Sequence, residues 1–533
     1  MGYIKACDRY QVTLFPETLD EYIAENNPVR VIDVFVNNLD LKEAGFSKHT
    51  PAKEGRPGYD PRSLLKLYIY GYFYKIRTSR RLMAECVKNV ELMWLMGKLT
   101  PDFRTIADFR KDNPQPLKKV FKTFGKICME LNLYEKELIA IDGSKFKAVN
   151  SKDRNLTLSK LEKKLKRLEQ NIDEYLTELD KNDEAEGETK DITKEELQEK
   201  INLLKQRQEE YNKHLKEMKE NNETQRSFTD SESRLMRTHS DGFNVCYNVQ
   251  TAVDAGNHMI VDFEVTNSCN DSGLLSTSAI SAKETLGTKI LEVVADNGYE
   301  NTEDMLNCLK NGIIPHVALK KGVDTIEISI PHEKTEITLE LLDSTKPKDI
   351  EKCLKAGLLP TAYEGKNIEV QVIEKVQNGT SDKCFVLNED GETVTCPEGK
   401  ILNKSAYLKN KKATRFVSRS ACSHCMNKCT ASKFKQVDLK DGQRILYLKG
   451  QNLIRQVVIR IKPDKGKIKK RKCVVEHPYG TIKHWCDGSY LLLKGKLKAT
   501  ADLSLSFLCY NLKRAINIVG VKKLIGQMTL NGC

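Results

Sequence analysis

The sequence predicts a mixed α/β fold, on three observations. Short apolar runs that read as strands recur at Leu138–Ile141, across "NVCYNVQTAVDAGNHMIVDFEVTN", at Val293–Ala295 and in "IIPHVAL". Segments with helical spacing, "DSGLLSTSAISAKETLG" and "NTEDMLNCLKNG", separate the later strands. A charged, heptad-spaced stretch interrupts the series and reads as an insertion. Without it the order is strand, strand, strand, helix, strand, helix, strand, which suits a mixed sheet carrying helices.

Residues 1–130 read as a helical domain, with apolar residues at helix spacing in "DPRSLLKLYIYGYFYKIRTSRRLMAECV" and "PQPLKKVFKTFGKICMELNLY". Lys75, Arg77, Arg80, Arg81, Arg104 and Arg110 concentrate here. Such a domain is compatible with DNA binding through Arg80 and Arg81, and equally with a solvated basic face on a bundle. The α/β core is expected over 137–150 and 230–320. Its first strand ends at Asp142-Gly143, and its next two are joined by Asp254-Ala255-Gly256-Asn257 as a hairpin.

Residues 157–225 read as an antiparallel helical hairpin, a spacer or dimerisation arm. Leu161, Leu165, Leu168, Ile172, Tyr175 and Leu179 follow a heptad-like spacing, as do Leu197, Ile201, Leu204, Tyr211, Leu215 and Met218. The acidic "DKNDEAEGETKD" separates the two runs, and Thr193 to Glu196 fits a capping box. A second insertion is expected over 320–470, closing in a basic run from Lys462 to Lys472. Residues 471–533 return to the core and end in helices, with Leu505, Leu508, Leu512, Ile516 and Val519 at core spacing.

Composition narrows the class. Apolar residues at 39% and charged residues at 30% describe a globular chain with a charged surface. No window approaches the roughly 18 to 20 apolar residues of a membrane span. The start "MGYIKACDRYQVTLFPETLDEY" has no basic segment followed by an apolar core, so a cytoplasmic protein is expected. The net charge of +13, from 87 Lys and Arg against 74 Asp and Glu, favours polyanionic partners. Sixteen cysteines without a secretory signal are expected as reduced thiols or metal ligands.

Asp142 and Asp296 each end a short apolar strand beside a Gly or an Asn-Gly pair. An acid beside a turn is ordinary by itself. On neighbouring strands, however, the two carboxylates would emerge at one sheet edge, where open α/β sheets form their sites. Two close acids repel unless a cation lies between them, and a hard cation such as Mg²⁺ takes carboxylate oxygens while keeping positions for water and phosphate. A two-metal centre needs at least one more acid. Glu476 in "CVVEHPYGTIKHW" is the candidate, placed at the start of a helix whose same face would carry Lys483 two turns on. His477 reads as a helix-start residue and Trp485 as a packing residue.

"IAIDGSKFKAVNSK", "VVADNGYEN" and "VVEHPYGTIKHW", in that order, closely resemble the three catalytic motifs of bacterial insertion-sequence transposases of the DDE superfamily. "GRPGYDPRSLLKLYIYGY" and the tail "CYNLKRAINI" extend the resemblance over most of the chain. The resemblance implies an RNase H-like core and a metal-binding triad of Asp142, Asp296 and Glu476, holding two Mg²⁺ or Mn²⁺ ions. It implies double-stranded DNA as partner, both the element's terminal repeats and the target, handled by a homodimer near the nucleoid. Related transposases often show Tyr-x2-Arg-x3-Glu-x6-Lys around the third acid. Here Glu476 and Lys483 fit, while Lys469 and Lys472 occupy the Tyr and Arg positions and Tyr479 stands where Phe is commoner. Rival expectations are a derived DNA binder that no longer cuts, which the intact triad opposes, and a nuclease without strand transfer.

The run Lys462–Lys472 carries seven cations and one acid, Asp464, and is expected to lie along DNA through Lys469, Lys470, Arg471 and Lys472. "ACSHCMNKC" with "TCPEGK" brings Cys422, Cys425, Cys429 and Cys396 into range of a structural Zn²⁺, with His424 as an alternative ligand. Unligated reduced thiols are the other expectation for this cluster.

Overall fold

The computed structural model describes residues 18–46, 50, 57–150, 155–184, 194–238, 242–423, 425, 436–485 and 488–531. Helices hold 50% of the residues and strands 23%, so the class is mixed. The chain forms two compact units: Met1–Thr325 with Thr345–Pro347 and Lys462–Cys533, and Ile326–Ser344 with Lys348–Ile461.

The first unit is built on a six-stranded sheet. Its strands are β1 (Leu138–Lys147), β4 (Arg234–Thr238), β5 (Gly242–Asp254), β6 (Ile260–Thr266), β7 (Leu291–Ala295) and β8 (Ile313–Val317). β5 pairs antiparallel with β1, β4 and β6, whereas β1, β7 and β8 run parallel. The parallel strands are buried on both faces, with Ile139, Ala140, Ile141, Val293, Val294 and Ala295 nearly inaccessible. That explains why they read as continuous apolar runs rather than alternating ones.

N-terminal helices open on side-chain caps: Asn27 for Pro28–Asn37, Asp60 for Pro61–Phe73, Asn89 for Val90–Met96 and Asp102 for Phe103–Asp112. The helices Pro61–Phe73 and Pro114–Glu130 pack against the C-terminal helix Lys496–Val519. Phe263 of β6 joins this core, edge-on to Phe507 at 4.6 Å and to Phe121 at 5.3 Å. Inside it Asp502 is fully buried, 3.1 Å from Arg77 Nη2 and 3.7 Å from Arg110 Nη1, and it accepts a hydrogen bond from Tyr72. Arg77 and Arg110 are therefore core residues rather than members of a surface basic patch. A carboxylate in the middle of an apolar helix needs such partners, because an unpaired buried charge is very costly.

Between β1 and β4 the chain forms β2 (Asn155–Thr157) and β3 (Gln225–Ser227), an antiparallel pair at the base of two long helices, Leu158–Glu184 and Lys194–Glu220. Glu162 pairs with Lys219, Glu169 with Gln208, and Tyr175 stacks under Lys200. Partner numbers fall along one helix as they rise along the other, so the helices are antiparallel. Leu161, Ile172, Leu197, Ile201 and Met218 are buried along the seam.

The second unit is a seven-stranded antiparallel sheet. β9 (Ile326–Pro331), β10 (Ile368–Leu387), β11 (Thr393–Thr395), β12 (Ile401–Leu408), β13 (Ala413–Val417), β14 (Gln436–Lys440) and β15 (Ile445–Ile461) lie in the order β14-β13-β12-β11-β10-β15-β9. Phe385, Val394, Leu402, Phe416, Val437 and Leu439 form one of its cores. The unit ends at Ile461. The basic run that follows belongs instead to the helix Lys465–Gly480 of the first unit, which starts where Asp464 accepts hydrogen bonds from the backbone N–H groups of Gly466 and Lys467.

Candidate active site

β1 and β7 pair in the register Leu138↔Glu292, Ile139↔Val293, Ala140↔Val294. Two residues past the last pair, on both strands, come Asp142 and Asp296. Asp296 thus follows the end of β7 at the level of Asp142, which lies within β1 opposite Thr251 of β5. β1 runs on to Lys147, so the expected strand end at Asp142-Gly143 is not found, because β5 keeps pairing with the polar half of the strand. Asp296 Oδ1 accepts the Gly298 N–H at 2.9 Å and so caps the short turn Asn297–Tyr299. The Asn-Gly pair provides that turn and the acid anchors it.

Burial pushes the Asp142 carboxyl up to about 6. The nearby guanidinium of Arg471, Nη1 at 3.3 Å, opposes this, while the negative charges of Asp296 and Asp271 add to it. Asp271 is an acid that the sequence did not single out. It lies in the loop between β6 and the helix Leu275–Leu286, and its Oδ1 accepts from Asn248 Nδ2 at 2.7 Å and Gln250 Nε2 at 2.8 Å, with Lys145 Nζ at 3.5 Å. A Cβ at position 143 would overlap Asp271 Oδ1 and Gln250 Nε2, so the glycine after Asp142 is what lets the loop approach.

The helix Lys465–Gly480 lies against this edge. The Tyr479 hydroxyl is 2.9 Å from the carbonyl oxygens of both Asp142 and Val249, and it accepts from Thr251 Oγ1 at 2.8 Å. A Phe there would leave those groups without it. Near its start, the helix is tied down by Lys467, which pairs with Glu292 of β7, and by the Asp464 N–H, which donates to Nδ1 of His316 in β8 at 3.2 Å. His316 Nε2 is 2.8 Å from Glu292, and burial pushes its imidazole below the ordinary range despite that carboxylate.

The structure brings Asp142 and Asp296 together but not Glu476. Glu476 lies inside the helix rather than at its start, five positions after Arg471 and so about 140° around the axis from it. Its side chain is 64% exposed and 3.8 Å from Lys472. Lys483 shares no α-helical face with Glu476, because the chain changes to a π-helical turn over Thr481–Trp485. Its Nζ is buried, 2.6 Å from Ser144 Oγ and 2.9 Å from the Lys145 carbonyl, above the Phe146 ring at 4.7 Å. Burial pushes its ammonium down to about 8. Lys469, Lys470, Lys472, Arg80 and Arg81 are exposed, and Arg80 lies over the Phe103 ring at 5.1 Å. His477 packs against Tyr510, Nδ1 to hydroxyl 2.8 Å.

The donors suit a hard divalent cation in part. Asp142 and Asp296 offer oxygen ligands that repel each other, and a cation, Arg471, already stands against one of them. Among the described residues, no group of three or more His, Cys, Asp or Glu side chains is placed to hold a metal ion. For the cysteine cluster, Cys396 packs into the apolar core of the second unit, with its Sγ 3.2 Å from the Lys400 N–H, and Cys425 is half-buried. Cys429, His424 and the Cys422 side chain lie outside the described residues.

Residues 223–512 match the family described as "Transposase DDE domain", over more than half of the chain. The protein belongs to the Transposase DDE domain family. Residues 17–112 of this transposase match a second family, "Transposase domain (DUF772)", which covers most of the N-terminal helices. Asp296 and Glu476 fall inside the DDE match, while Asp142 lies ahead of it. DDE transposase domains generally use divalent metal ions. No curated protein matches the chain. A solved structure, "Cryo-EM structure of piggyBac transposase synaptic complex with hairpin DNA", aligns over 95% of this chain and 80% of that one at 8% identity, with a TM-score of 0.30. That likeness is too slight to carry an argument. Among the described residues of the transposase no helix is long and apolar enough to cross a membrane.

Proposed function

We propose that this transposase binds the ends of its own insertion sequence, cleaves them in a metal-dependent reaction and joins them to target DNA. The observation that carries the reading is that Asp142 and Asp296 stand at one level on adjacent parallel strands, Asp142 within β1 and Asp296 just past β7. With β4, which also pairs with β5, set aside, the strand order β6-β5-β1-β7-β8, with β5 antiparallel and β7 parallel to β1, supports an RNase H-like core.

Asp142 and Asp296 would hold Mg²⁺ or Mn²⁺. When bound, the ions supply Lewis acidity at phosphate oxygens and an activated water or 3′-hydroxyl for in-line attack. Glu476 is the third ligand in this reading. It reaches the pair only if the helix turns, with Arg471 leaving Asp142. Arg471 then becomes available to a backbone phosphate, a bidentate partner for which its guanidinium is suited. Lys469, Lys470 and Lys472 extend the cationic surface along the same helix. Lys483, buried against Ser144, supports the β1 end from beneath rather than meeting phosphate. The exposed Arg80 and Arg81 suit double-stranded DNA in the N-terminal helices.

Zinc at Cys396, Cys422, Cys425 and Cys429 would be structural, since four protein ligands leave no open position. The helical hairpin would act as a spacer or as the contact of a homodimer.

The test is a strand-transfer assay with DNA carrying the element's own ends, a target plasmid and Mg²⁺. Joined products support the transposase reading. Cut but unjoined ends would leave a nuclease, and binding without cutting would leave a DNA-binding protein.

A further inference from the structure

We propose that Asp271 is a further acid of this site, a positioning residue that fixes the spacing of Asp142 and Asp296 and raises their joint affinity for a divalent cation. The inference rests on the metal-binding reading of that pair.

Three observations converge on Asp271. Its carboxylate is held on one oxygen: Asn248, Gln250 and Lys145 all direct their nitrogens to Oδ1. Oδ2 takes part in none of these contacts. Fully buried Asn248 gives its amide nitrogen to Asp271 while its own Oδ1 has no hydrogen-bond partner. A buried amide left half-satisfied is a cost that packing alone does not require.

Asp271 is also tied to both acid-bearing segments, directly to one and through Gln250 to the other. On one side it lies over Gly143, the residue after Asp142, in space that any other residue would fill. On the other side Gln250 links it to the Asp296 turn, donating through Nε2 to Asp271 and accepting through Oε1 from Tyr299. Tyr299 is buried and closes the turn that Asp296 caps. One carboxylate thus fixes β1 at Gly143 and, through a single glutamine, the turn after β7. Its negative charge lies close enough to act on Asp142. Carboxylates in the surroundings of a metal orient its ligands and add to the attraction, and their loss typically costs about 10- to 100-fold in metal affinity.

The test is Mn²⁺ titration of the full-length protein, followed calorimetrically and by the Mn²⁺ spin-resonance signal, with thermal melting as the fold control. Wild type, Asp271→Asn, Asn248→Ala and Asp296→Asn are compared. Asp271→Asn keeps the size and an acceptor oxygen but removes the charge, so Mn²⁺ binding should weaken about tenfold with the melting temperature little changed. Asn248→Ala leaves the charge but releases the carboxylate, and a loss of a few fold is expected. Wild-type Mn²⁺ affinity in a folded Asp271→Asn protein overturns the inference. Should that variant fail to fold, Asn248→Ala decides in the same way, weaker binding supporting the inference and unchanged binding overturning it. If wild type itself binds no Mn²⁺, or Asp296→Asn binds as well as wild type, the metal-binding reading of the pair fails, and this inference with it.

Discussion

Asp142 and Asp296 stand at the same level on adjacent parallel strands, and Arg471 Nη1 lies 3.3 Å from Asp142. Like charges are therefore packed at a sheet edge with one guanidinium in partial compensation. The arrangement costs stability and favours a cation.

That cost can be measured through pH. The Asp142 carboxyl is held up at about 6, above its ordinary value of 3.8. The folded protein keeps a proton that the unfolded chain has released, so stability falls as pH rises from about 4 to about 6 and stays reduced above it. Asp142→Asn removes the charge and should stabilise the metal-free fold at pH 7.5 by up to about 3 kcal/mol, with a smaller gain at pH 5. Thermal melting of both proteins at the two pH values checks this. A variant less stable than wild type at pH 7.5 would contradict it.

Arg471 carries the opposite expectation. Arg471→Ala removes the partner of Asp142, so the metal-free protein should melt lower. It also removes a positive charge from beside a proposed metal ligand, which should tighten Mn²⁺ binding roughly three- to tenfold, the scale of one screened repulsion. Calorimetry and melting measure the two effects separately.

The buried cluster around Asp502 predicts a large stability effect far from the acids. Asp502→Ala leaves the buried charges of Arg77 and Arg110 without the carboxylate opposite them, at a cost of about 3 to 5 kcal/mol. The N-terminal helices should then become sensitive to limited proteolysis at temperatures where wild type resists. Survival at the wild-type melting temperature would show that the cluster contributes little.

Lysines on the acid-bearing segment should separate into two kinds. Replacing exposed Lys469 and Lys470 together by Ala should lower the salt slope of DNA binding by about 2. Lys483→Met should leave that slope unchanged, because its ammonium is spent on Ser144 and the Lys145 carbonyl. Binding isotherms over a salt series distinguish the two.

The strand bearing Asp296 is legible as a short apolar run cut off by an acid and a turn, a pattern that burial on both faces imposes locally. β1 is legible only in its apolar half, because it continues through Asp142-Gly143 to Lys147 along β5. Asp271 was not legible. It sits in "NSCNDSGLL", where an acid among turn residues looks ordinary, and its role depends on a loop folding over Gly143. The glycine after Asp142 was the one available signal. Lys483 was placed on the face of Glu476 by counting α-helical turns, and the change to π geometry at Thr481 removes that equivalence. Arg77 and Arg110 look like surface cations because Asp502, their partner, lies about four hundred residues away in sequence. The second unit read as merely mixed. Its strands β11 and β13 are short, three and five residues, and β13 is buried only at Ala413 and Phe416, so no two-residue alternation marks it.

Asp142 and Asp296 together are proposed to bind the cation on which cutting and joining of DNA depend. The most direct measurement is Mg²⁺-dependent cleavage and joining of DNA carrying the element's ends by wild type, Asp142→Asn and Asp296→Asn, with DNA binding measured in parallel. The expected result is cutting and joining by wild type alone, with all three proteins binding the DNA comparably. Cleavage by either variant at the wild-type rate would contradict the claim.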